Sequence, residues 1–158
     1  MADASFEDGR EAPLNLGALE EEDLKILSTL VQDAVFPVTE MSWRASERRF
    51  ALLVNRFRWE DREAAERRGR AFERVQSLLV VDNVLAVSSQ GVDRKDKDLV
   101  LSLLSVDFKP DEDAAGHVLL TLAGDGAVRL AVEALEVSLR DVTRPYRAPS
   151  GHAPDHGD

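Results

Sequence analysis

The chain contains no cysteine and only three histidines. The first absence removes disulfides, thiol nucleophiles, zinc ribbons and iron–sulfur ligation at once. His152 and His156 lie in a Pro/Gly-rich end, which leaves His117 as the one imidazole in the body of the chain. No apolar run approaches the ~18 residues that a membrane-spanning helix needs. The N-terminus, Met1-Ala2-Asp3-Ala4-Ser5-Phe6-Glu7-Asp8, is acidic and has neither the basic nor the apolar region of a signal peptide. A cytoplasmic protein without membrane contact is expected. There is also no Gly-Lys-Ser/Thr phosphate loop and no Gly-x-Ser-x-Gly elbow. Gly124-Asp125-Gly126 lacks the strand-to-helix setting of a dinucleotide site and reads as a hairpin turn. No cofactor is implied.

What is present suits one folded unit. The 158 residues are 44% apolar, enough for a real core. Residues 1–14 and 147–158 read as flexible tails, so residues 15–146 form the expected single domain. The net charge of -10 is unevenly distributed: residues 1–23 net −7, whereas residues 44–74 hold ten arginines against six acids. An overall negative field disfavours nucleic acid. The segment 62–74, with Arg67-Arg68-Gly69-Arg70, is left as a basic patch; mixed with Glu63, Glu66 and Glu73, it reads as a solvated loop. RNA binding there would show as steeply salt-dependent retention.

Leu24, Leu27, Leu30 and Val31 recur at helical spacing, which predicts a helix over 19–33, ending before Pro37. From Val35 to about Val132 the pattern is of strands. A hairpin around Ala45-Ser46-Glu47-Arg48 would oppose Trp43 to Phe50, Met41 to Leu52 and Thr39 to Val54. A second, around Asp82-Asn83, would oppose Val80 to Leu85 and Leu78 to Val87. Leu99 to Phe108 reads as a mid-sheet strand. A third hairpin at Gly124-Asp125-Gly126 would pair Leu122 with Val128, Leu120 with Leu130, and His117 with Glu133. Leu135, Leu139 and Val142 repeat at helical spacing and predict a short C-terminal helix, with a continued strand as the alternative. The expected class is α+β: a curled antiparallel sheet or half-barrel of about seven strands, with an N-terminal helix and a short C-terminal one. Its plan is analogous to pleckstrin-homology domains.

The runs Glu47-Arg48-Arg49-Phe50, Asn55-Arg56-Phe57-Arg58-Trp59-Glu60, Val87 to Asp93, Asp96-Lys97-Asp98, Val100 to Leu104 and Gly126 to Leu139 resemble an uncharacterised family of short alphaproteobacterial proteins, domain of unknown function 2948. The resemblance covers residues 14–146 and implies a bacterial cytoplasmic protein, but it brings no activity, cofactor or catalytic residue. Leu78-Leu79-Val80-Val81 departs from it, being more apolar than the family pattern implies.

Two constellations could carry chemistry. Asn55, Arg56, Arg58 and Trp59 end a strand, where Arg forks and an indole face suit a carboxylate or phosphate. His117 beside Glu133 would have a raised pKa, but no Ser sits in a nucleophile-like context. An Arg–acid network closing a barrel end competes with the first reading, and a surface His–carboxylate pair with the second. His152, Asp155, His156 and Asp158 could bind a divalent metal adventitiously, and Asp93, Asp96 and Asp98 are interleaved with bases. The reading preferred is therefore a non-catalytic binding or interaction module, with an apolar strand edge open for pairing and a homodimer through such an edge. The alternative is a small-anion-binding protein or enzyme at Asn55, Arg56, Arg58 and His117. Internal salt bridges on Arg56 and Arg58 would exclude it.

Overall fold

A computed structural model describes residues 13–147 and 154. In chain order the elements are β1 (Asn15–Ala18), α1 (Glu21–Leu30), β2 (Ala34–Pro37), β3 (Met41–Arg44), β4 (Arg49–Phe57), α2 (Arg62–Arg68), β5 (Glu73–Val81), β6 (Val84–Gln90), β7 (Val100–Pro110), β8 (Gly116–Leu122), β9 (Ala127–Val132), β10 (Val137–Asp141) and β11 (Tyr146–Arg147). All eleven strands belong to one antiparallel sheet ordered β1-β10-β5-β4-β2-β7-β8-β9-β6, with β3 attached to β4 and β11 to β5. The sheet does not close: its path ends at β1 and β6.

The count of about seven strands is thus too low. The expected strand from Val35 to Arg44 is broken by a 3-10 turn, Val38–Glu40, because Pro37 has no N–H to continue a ladder. Its two pieces are placed differently: β2 lies between β4 and β7, whereas β3 pairs with β4 alone. The Trp43–Phe50 and Met41–Leu52 pairs form, whereas Thr39 lies in the turn and does not face Val54. Residues 14–18 also gain structure. Leu14 donates its N–H to Asp141 Oδ2 (2.8 Å) and accepts from Asp141 N (2.9 Å), and β1 pairs with β10. Residues 1–12, 148–153 and 155–158, where most of both expected tails fall, lie outside the described residues.

Three further expectations are corrected. The short C-terminal helix is instead β10, flanked by β1 and β5; ladders on both sides satisfy its backbone better than one helical turn would. Asp82-Asn83 is not a two-residue hairpin. Strand β5 already has β4 and β10 on its two sides, so Asn83, at φ 61, directs the chain away to pair β6 with β9. The third hairpin forms two residues out of the expected register, with Leu120 opposite Val128 and Val118 opposite Leu130. An even shift keeps every side chain on its face, so the apolar face survives; His117, however, meets Ala131 rather than Glu133.

The helix expected over 19–33 is α1, shorter at both ends. Leu24, Leu27 and Val31 enter the core with Phe36, Leu103, Leu120 and Leu139. Its Ser28 hydroxyl accepts the Val106 N–H (2.9 Å), which fixes the helix over β7. No helix among the described residues is long and apolar enough to cross a membrane. Where β8 begins, Gly116 is buried opposite Pro110. A Cβ there would overlap the Lys109 carbonyl oxygen and lie 2.7 Å from two carbons of the Phe108 ring. Gly116→Ala should therefore lower stability by about 1–3 kcal/mol through overpacking, measured by urea unfolding. No loss would mean that the β7–β8 turn yields freely.

Candidate functional site

Strand β4 explains the fate of the arginine constellation. Phe50, Leu52, Val54 and Arg56 alternate inward, so Arg56 shares the core-facing side of the strand and is 0% exposed. A guanidinium there requires acids. Its Nη1 and Nη2 donate to the two Glu60 carboxylate oxygens (2.8 Å each), and Nη2 also donates to Asp141 Oδ1 (3.0 Å). Nε donates to Ser77 Oγ (2.9 Å), and that hydroxyl donates in turn to Asp141 Oδ1 (2.7 Å). Burial alone would depress the Arg56 pKa, but the bonds and charges of Glu60 and then Asp141 hold it above its ordinary value. It therefore stays charged and committed.

The neighbouring residues are committed too. Arg58 donates to Glu73 Oε1 (2.6 Å) and lies 3.6 Å from Asp61, which also holds Arg70 through two 2.5 Å bonds. Asn55 accepts from Arg74 Nε (2.6 Å) and donates to the Tyr146 hydroxyl. Arg74 has its pKa lowered by burial, which the charges of Tyr146 and Asp33 only partly offset. Trp59 donates its indole N–H to the Gln32 carbonyl at the end of α1 (3.0 Å) and carries Arg62 at 5.8 Å from its ring. The Asn-Arg-Phe-x-Trp-Glu run is therefore a clasp that ties the end of β4 to β10, β11 and the residues just after α1. Arg56 and Arg58 thus spend their charge on internal acids.

His117 and Glu133 do not join that group or each other. His117 Nδ1 lies 3.4 Å from Asp111 Oδ2, and Glu133 accepts from Arg48 (2.7 Å). The segment expected as a solvated loop, 62–74, begins as helix α2, capped by Gly69 at φ 63. At least eight of the ten arginines between 44 and 74 hold a hydrogen bond or ion pair. Among the described residues no group of three His, Asp or Glu could hold a metal; His152, Asp155, His156 and Asp158 lie outside them.

An opening appears instead between β3 and β6. Each pairs with one neighbour only, β3 with β4 and β6 with β9, so each keeps a free backbone edge. Val84 N donates to Arg48 O (2.9 Å), which ties the start of β6 to the turn after β3. Beyond that tie the two strands are not paired, and both line a cleft of about 240 Å³. Met41, Trp43, Phe50, Val87 and Val128 give it apolar walls, Ser88 and Ser89 a polar side, and Arg94 its one charge. Arg94 is exposed and holds no ion pair among the described residues. The sequence pointed to an open edge but not to this pair of strands, because the assumed β5–β6 hairpin would have used one of them.

No curated protein and no solved structure matches this chain. A family model does match, over residues 14–156, and with it the clasp, the cleft and the sheet that positions them. The chain belongs to the family described as "Protein of unknown function (DUF2948)".

Proposed function

We propose that this domain is a non-catalytic interaction module that takes an extended segment of a partner protein at the cleft between β3 and β6. The observation that supports it is the pair of free strand edges lining a cleft with apolar side chains, with one unpaired cation at the mouth. Such an edge offers main-chain hydrogen bonds to an added strand, and the pocket between edges reads a side chain. The occupant fitting this chemistry is an extended peptide with an apolar anchor among Met41, Trp43 and Val87 and an acidic residue near Arg94. The clasp supports the same reading, since the residues most suited to bind an anion serve the fold. A cytoplasmic setting belongs to this proposal as well.

Peptides selected from a random display library against the full chain provide the test. The expected ligands combine an acidic with an apolar residue and slow amide exchange along Val84–Gln90. Arg94→Glu should weaken them about tenfold or more. Ligands indifferent to Arg94→Glu, or protecting other strands, would remove the cleft from consideration.

A further inference from the structure

We infer that the outer face of β3, β4, β5 and β10 is a two-fold interface with a second copy of this chain. This face shares only Ser42 with the lining of the cleft and carries an open groove of about 630 Å³ floored by Ala51, Leu53, Leu78 and Val80. An apolar floor on the solvent side of a sheet marks an interaction surface. It also accounts for Leu78-Leu79-Val80-Val81: Leu79 and Val81 fill the core, whereas Leu78 and Val80 point the other way.

The side chains across this face identify the occupant. The strand register places them in rows, and each row changes sense about the line between β4 and β5. In one row Glu40 stands at the rim beside Leu53, and Leu78 is followed by Arg140 at the opposite rim. Neither Glu40 nor Arg140 has an ion pair among the described residues. In the next row Ser42 and Ala51 are answered by Val80 and Ser138. Beyond the strand ends Arg44 and Arg49 are answered by Asp82 and Glu136.

A two-fold axis lying along the strands between β4 and β5 superposes each half-row on the other copy's complement. It brings Glu40 onto the second copy's Arg140, Leu53 onto Leu78, Ser42 onto Ser138, and the Arg pair onto the acidic pair. An isologous interface demands this kind of self-complementarity. Sheets packed face to face with their strands nearly aligned are a standard arrangement, about 10 Å apart. An unrelated partner would have no reason to match a pattern that reverses about its own centre.

Sedimentation equilibrium of the full chain tests the assignment. The expected mass is about 35 kDa, twice the 17.5 kDa of one chain. Leu78→Glu should give a folded monomer, as judged by circular dichroism. Glu40→Arg and Arg140→Glu should each weaken the dimer about tenfold, since each creates two like-charge contacts. An equimolar mixture of those two variants should restore it, because every contact again joins opposite charges. Arg94→Glu should remain dimeric, which keeps this test apart from that of the cleft. A monomer at ~100 μM, a dimer that survives Leu78→Glu, or a mixture no tighter than its components would each overturn the proposal.

Discussion

Replacing Asp141 with alanine is expected to cost about 3–5 kcal/mol, the range for breaking a buried charge pair by removing one partner. The Asp141 side chain is 3% exposed and answers three elements at once: Arg56 of β4, Ser77 of β5 and the Leu14 N–H before β1. Without it Glu60 is the one acid that Arg56 keeps, beside the neutral Ser77 hydroxyl, and the Leu14 amide loses its side-chain acceptor. Thermal unfolding should fall by roughly 10 °C, at 2–4 °C per kcal/mol for a chain of this size. The double substitution Arg56→Met with Asp141→Leu should cost less than Asp141→Ala alone, since Glu60, the acid then left without Arg56, is partly exposed to water. A cost under ~1 kcal/mol for Asp141→Ala would mean that water already reaches this carboxylate.

Phe57→Ala should be of comparable size, about 3–4 kcal/mol. Phe57 is fully buried, yet it lies on the opposite side of β4 from Arg56 and outside the main core. It meets the Trp59 ring edge-on at 4.8 Å and the Phe72 ring at 5.7 Å, so its loss removes two aromatic contacts as well as buried area. Phe57→Leu, which retains most of the volume, should cost about 1 kcal/mol. Urea midpoints for the two variants would show the difference. Equal midpoints would mean that the pocket collapses without penalty and that the rings do not anchor α2.

The class of the fold was legible because period-two patterns in β4, β7, β8 and β9 are strong. The Trp43–Phe50 register followed from matching one apolar face across a four-residue turn, and the structure forms it. Local rules failed where pairing is not local. Asp82-Asn83 has turn chemistry, but β5 takes as neighbours β4, which precedes α2, and β10, more than fifty residues later. No window around residue 82 contains that information. The helical spacing of Leu135, Leu139 and Val142 competed with the alternation of Val137, Leu139 and Asp141, and only the two adjacent strands decide between them.

The clasp was readable in part. Arg56, Ser77 and Asp141 each interrupt an otherwise apolar inward face, on β4, β5 and β10 respectively. Three polar interruptions of buried faces imply a shared partner, since a lone charge inside would be too costly. Read from the sequence, Arg56 fits both a ligand residue and part of an Arg–acid network closing a barrel end, and Ser77 and Asp141 are not singled out. The missing step was the alignment of β10 against β5, which puts Asp141 directly opposite Ser77.

The bond between Leu14 and Asp141 spans 127 positions of chain. During synthesis at ~5–20 residues per second, that separation is roughly 6–25 s. For the last 85 of those positions, roughly 4–17 s at that rate, Arg56 has emerged without Asp141, and once β5 is made its edge that will receive β10 is bare. The nascent chain thus carries an Arg56 that has Glu60 but not Asp141, and an open β5 edge, until β10 appears. Its exposure to misassembly is set by translation speed more than by the stability of the finished sheet.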